Sequence, residues 1–323
     1  MNTVTKTMCI DFHAHALPQS FRNAVAELGI DPIAEDGFPL PAWSTEAHLQ
    51  FMAEAGISRT LLSAPVPHLY NGNDAKARTA ARAVNCDLAE TVGAHPDSFG
   101  FVACIPLPDI EGTLSETAYA LDTLGASGVK VATNMGGVYL GDPCFDPIME
   151  EWNRRKTLAV IHPCRARQRP ENVITGKVAA IFEYPADTTR AVLNMIAHRT
   201  MTRFPDITWI VPHCGAFLPY MLQRFTGVSG ILASMDMMET VDVQAEFERL
   251  YFDIAGDPEP NHLAMLALVA DASHILYGSD YPHSPASIIL AKKRHFDANK
   301  EYTHIRERIY HKNAMAMLER GGK

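Results

Sequence analysis

Short apolar runs recur along the chain, and longer stretches with apolar residues at helical spacing lie between most of them. The runs that read as strands are Met8–Phe12, Thr60–Ala64, Phe99–Ile105, Gly128–Thr133, Leu158–His162, Thr208–Pro212, Leu250–Ile254 and Ile275–Gly278. The intervening stretches that read as helices are Thr45–Ala55, Ala75–Ala94, Thr113–Leu124, Phe145–Arg155, Thr188–Arg203, Leu218–Phe225 and His262–Val269. The first of these stops at Gly56, a helix-ending residue. About eight strands alternating with helices predict an α/β fold, a (β/α)8 TIM barrel. The rival is a doubly wound open sheet, which favours a glycine-rich turn after its first strand. Here that place holds His13-Ala14-His15. The chain is therefore read as a single barrel domain over 1–323, with a cap insertion over about 20–44. The irregular heart of the insertion is PIAEDGFPLPAW, Pro32–Trp43, and a second irregular loop covers Pro163–Pro185.

Composition narrows the function. The 323 residues are 47% hydrophobic and 20% charged, enough apolar material for a large core. A net charge of -9 and the lack of a dense Lys/Arg run argue against a nucleic-acid partner. No window approaches a membrane span. The stretch before Cys9 has no apolar signal core, and six cysteines without a CxxC pair suit a reducing, cytoplasmic setting.

The polar candidates fall at predicted strand ends. His13 and His15 close the first strand and, two residues apart, share one face of it. His162 closes the fifth, His213 follows the sixth in WIVPHC, and Asp280 follows the eighth in LYGSDYP. A barrel gathers the C-terminal ends of its strands at one face, so these residues become neighbours. Imidazole and carboxylate suit a borderline metal such as Zn2+. Singly, each has a plainer reading: a strand-end histidine is usually only hydrogen-bonded, and Asp280 suits a turn or a helix cap. Their conjunction favours a metal site. Phe21, Trp43, Tyr139 and Phe217 are candidate walls for an aromatic substrate; each also suits the core, the reading favoured for Phe217. Met235-Asp236-Met237-Met238 is expected as a helix packing face.

IDFHAH, the IHP at 161–163, RFPDITWIVPHCGAFLPYMLQR and LYGSDYP together resemble the amidohydrolase superfamily. Within it they are similar to the nonoxidative decarboxylases related to aminocarboxymuconate semialdehyde decarboxylase. PAWSTEAHLQFMAEAGIS, the stretch YALDTLGASGVKVATNMGGVYLGDPCFDPIMEEWNRRK and EYPADTTRAVLNMI are further similar to 6-methylsalicylate decarboxylases. The resemblance implies that His13, His15, His162 and Asp280 ligate one divalent metal, Zn2+ or Mn2+. It implies that His213 sits beside the metal and handles protons or orients water. Asp280, or a water between Asp280 and His213, is the expected catalytic proton donor to the ring carbon. The resemblance also implies that Arg224 pairs with a substrate carboxylate, and that the protein is a homodimer or a higher homo-oligomer. Lys130 sits within its strand rather than after it, which favours one metal over two. No arginine lies between Asn23 and Ser58, where the muconate enzymes have one, so a monocarboxylate is expected. The expected reaction is the decarboxylation of an ortho-hydroxybenzoate such as 6-methylsalicylate to 3-methylphenol. The same metal site would also serve a hydrolase of a small lactone or amide, and a noncatalytic barrel that binds a small acid is a third reading.

Overall fold

A computed structural model of the protein describes residues 8–168, 170 and 172–320. Eight parallel strands follow one another around a barrel: β1 Ile10–His15, β2 Arg59–Ser63, β3 Phe99–Cys104, β4 Gly128–Ala132, β5 Leu158–His162, β6 Thr208–Val211, β7 Tyr251–Asp253 and β8 Ile275–Leu276. Each pairs with its neighbour in chain order. The amides of Phe12 and His15 donate to the carbonyls of Tyr277 and Tyr281, at 3.0 and 2.7 Å, and close the ring between β8 and β1. The strands are apolar on both faces because side chains fill the barrel inside and helices cover it outside. Trp152 and Trp209, both fully buried, meet in the layer between helix and sheet with ring centroids 6.3 Å apart. Gly278 has no room for a side chain: a Cβ there would lie 2.7 Å from Cβ of His13. That close approach lets the end of β8 pass directly behind β1.

Several boundaries moved for physical reasons. The helix read from Thr188 begins at Glu183, where an acidic first turn and Pro185 favour an early start. It ends at Ala197, and Arg199, with φ 54°, separates it from a short helix over Thr200–Arg203. The helix read as ending at Phe225 continues to Ser234. Gly227 and Gly230 lower its propensity, and the exposed Val228 and Ile231 blur its pattern. The run Met235–Met238 follows that helix rather than lying on it; Met235 and Met237 are exposed, so no packing face forms there. Helices over Gln19–Glu27 and Ala286–Ala298 had no counterpart in the pattern read from sequence.

His48, on the helix Thr45–Ala55, is fully buried and accepts the indole N–H of Trp43 on Nδ1 at 3.0 Å. Burial pushes its pKa down from 6.5 to about 3. Between those values the unfolded chain binds a proton that the folded chain refuses. Stability is therefore complete above pH 6.5 and falls as the pH drops toward 3, by at most about 1.4 kcal/mol per pH unit. His48→Gln keeps an acceptor for Trp43, and denaturant unfolding at pH 7 and pH 4.5 should show a flatter acid loss in that variant than in the wild type.

Candidate metal centre and cleft

β1 places His13 and His15 on the same side, and β5 brings His162 beside them. The three rings meet edge to face, with centroids 4.9–5.3 Å apart. Asp280 comes from the turn after β8. Its φ of 61° is left-handed, a region aspartate tolerates better than most residues. Its amide donates to the His13 carbonyl at 2.7 Å, which ties the turn to β1. Asp280 Oδ1 then lies 3.3 Å from His15 Nε2 and 3.6 Å from His13 Nε2. One ligand atom from each of His13, His15, His162 and Asp280 falls within 4.8 Å of all the others.

The other ring nitrogens explain why these atoms point inward. His13 Nδ1 lies 2.9 Å from Asp253 Oδ2, so the N–H donates to that carboxylate. His162 Nδ1 lies 2.8 Å from the Pro163 carbonyl and donates to it. Ser63 gives its hydroxyl proton to the Ala14 carbonyl, so its oxygen accepts from His15 Nδ1 at 2.9 Å. All three imidazoles thus have a proton on Nδ1, so that each neutral ring offers its lone pair on Nε2. His13 Nε2 and His15 Nε2 are buried without a hydrogen-bond partner. Enclosed polar atoms left unpaired are costly, and a cation is the partner this donor set fits.

The electrostatics agree. Burial, followed by the nearby Lys130 charge, holds His15 and His162 well below the ordinary imidazole range. Burial opposes a charge on His13, but Asp253 and Asp280 on either side outweigh it and push it up to about 9. A cation bound there would displace that proton. Burial also pushes the Asp280 carboxyl up, yet His13, His213, His283 and His162 outweigh it and hold it low.

His213 stands in a tight turn in which His213, Cys214 and Ala216 all have positive φ. Its amide donates to Asp253 Oδ1 at 3.0 Å, and its ring lies 4.9 Å from that of His13. Asp253 therefore fixes both His13 and His213. Sequence reasoning passed over Asp253, although an acid closing the apolar run YFD has the same look as the strand-end histidines. It also passed over Ser63 and His283, whose ring lies 5.1 Å from that of His15.

His162, His213, Asp280 and His283 line a cleft of about 530 Å3, walled on its apolar side by Phe38 and Phe217 among others. Phe217 is thus a cleft residue, 36% exposed, rather than core, because the strained turn before it lifts it out. Phe21 is fully buried in a small chamber behind His162. Trp43 is turned toward His48 and is absent from the cleft wall. Tyr139 donates to the buried Asp187 at 2.5 Å, on a short ribbon, and is absent from the cleft lining. Arg224 is exposed on the helix Leu218–Ser234 and is absent from the cleft lining. The structure therefore gathers the four candidate metal ligands and His213, and leaves Trp43, Tyr139 and Arg224 apart from them.

The amidohydrolase family model matches residues 10–320. The 6-methylsalicylic acid decarboxylase acuB of Aspergillus aculeatus is 32% identical over 292 residues, covering 88% of this chain and 87% of its own. The crystal structure of an amidohydrolase II is 30% identical with a TM-score of 0.90, over 96% of this chain and 99% of that one. A 5-carboxyvanillate decarboxylase from Novosphingobium aromaticivorans, complexed with manganese and 4-hydroxy-3-methoxy-5-nitrobenzoic acid, has a TM-score of 0.84 over 97% of this chain and 96% of that one. At 20% identity, that last likeness bears on the fold alone. With its barrel, its strand-end histidines and these relatives, the chain belongs to the amidohydrolase family and lies among its decarboxylases.

Proposed function

We propose that this carboxy-lyase decarboxylates an ortho-hydroxybenzoate, 6-methylsalicylate before others, to the corresponding phenol at a single divalent cation. His13, His15, His162 and Asp280 would hold the cation, Zn2+ or Mn2+. The observation that carries the reading is the pair of buried, unpartnered Nε2 atoms on His13 and His15, facing a carboxylate beside an aromatic-walled cleft. When bound, the cation supplies positive charge for the ortho oxygen and the carboxylate of the substrate.

The chain's own residues move the proton. Asp280 is held in its ionised form, so it is an acceptor when substrate enters. It takes the ortho hydroxyl proton and delivers it to the ring carbon that bears the carboxylate. The carbon–carbon bond then breaks, its electron pair returns to the ring, and carbon dioxide leaves. Burial keeps His213 neutral, so it can pass a proton from solvent to the phenol oxygen left behind. Phe38 and Phe217 hold the ring, which fixes the carbon to be protonated relative to Asp280. Among the described residues no arginine lines the cleft, which supports a substrate with one carboxylate. Exposed Tyr220, Val228 and Ile231 on the helix Leu218–Ser234 support the expected homodimer.

The test is product analysis with metal-loaded protein and 6-methylsalicylate under nitrogen. Equimolar 3-methylphenol and carbon dioxide are expected. A metal-loaded protein that forms neither from any ortho-hydroxybenzoate would overturn the reading.

A further inference from the structure

Lys130 lies in the middle of β4, deep in the barrel, yet keeps some accessible surface because it faces the small chamber behind His162. That chamber and the cleft share Val66 and His162 as walls. The ammonium has three donors. One is taken by the Ala64 carbonyl, and among the described residues no carboxylate is within ion-pair reach of it. Asp280 and Asp36 act on it only through space. Lys292, which lines the cleft, is already paired with Asp257 at 2.5 Å and also donates to the Gly256 carbonyl. A buried ammonium without a counter-ion is costly, and the described residues do not supply one.

We propose that Lys130 is a specificity-determining residue that supplies the counter-charge for the substrate's carboxylate, from inside the barrel at the junction of chamber and cleft. The proposal rests on the function proposed above, since it assigns the carboxylate of that substrate its protein partner. It accounts for the single-carboxylate cleft: the cation that is absent between Asn23 and Ser58, and that Arg224 does not bring to the cleft, is provided by β4. A lysine suits this place because its point charge on a thin stem fits where a planar guanidinium would need more room.

Lys130→Met keeps the length and removes the charge, and Lys130→Gln keeps a donor. The probes are 2-methylbenzoate, an acid without the ortho hydroxyl, and 3-methylphenol, a ring without the carboxylate. Binding to the metal-loaded protein is read by calorimetry, together with the KM for 6-methylsalicylate. Lys130→Met should weaken 2-methylbenzoate roughly 100-fold and raise KM in step, the scale for losing a buried charge partner. Affinity for 3-methylphenol, cation content and Tm should hold or, for Tm, rise, because an uncompensated buried charge has gone. Lys130→Gln should fall between. Equal loss of acid and phenol binding with a lowered Tm would show a structural role and overturn the proposal. So would unchanged acid affinity. If the wild type binds neither probe, the proposed substrate class fails, and this assignment falls with it.

Discussion

Asp280→Asn should retain a folded barrel and lower kcat by about 10³-fold, within the range for losing a positioned acid–base group. Asparagine has nearly the same shape, so the hydrogen bond from the Asp280 amide to the His13 carbonyl remains, and so does the left-handed turn that asparagine also tolerates. What disappears is the charge facing His13 Nε2 and His15 Nε2, and the ability to take a proton from the ortho hydroxyl and return it to the ring. The three imidazoles remain, so cation should still bind, less tightly. Saturating the variant with cation should therefore restore occupancy without restoring turnover. Steady-state rates at rising Mn2+, with metal content measured on the same samples, separate the two effects. Recovery of the wild-type rate at high Mn2+ would reduce Asp280 to a ligand alone.

His15→Ala should show the opposite division. His15 is fully buried, and its ring is fixed by the Ser63 hydroxyl on one side and faces Asp280 on the other. The substitution opens a polar hole in the wall of the site and leaves the Ser63 oxygen without its donor. Cation content after gel filtration should fall from one per chain to near zero, and turnover should fall by about 10³-fold or more with it. Added imidazole fits the hole and should recover part of both. Full activity in His15→Ala would remove the metal site from the account.

Much of this centre was legible in the sequence because its residues sit where regular elements end. Leu158–His162 has the observed strand limits, and the alternation of β1 puts His13 and His15 on one side whatever the rest of the chain does. The barrel then brings His162, His213 and Asp280 to the same face. What could not be read depends on contacts made through space. Asp253 matters because it accepts from both His13 and His213, which lie 240 and 40 positions away from it. Ser63 matters because its own proton is spent on Ala14, which decides the His15 tautomer. Trp43 and Tyr139 looked like substrate walls by residue type and proximity to strand exits, but His48 and Asp187 had prior claims on their polar ends. Lys130 was visible as a lysine in an apolar strand, while the lack of a counter-ion for it among the described residues shows only once the barrel is closed around it.

The measurement that bears most directly on the metal-dependent reaction is a titration of chelator-stripped protein with Mn2+, following carbon dioxide release from 6-methylsalicylate. The account predicts no release from the stripped protein and a linear rise that breaks at one equivalent per chain. Undiminished release without metal, or a break at two equivalents, would contradict it.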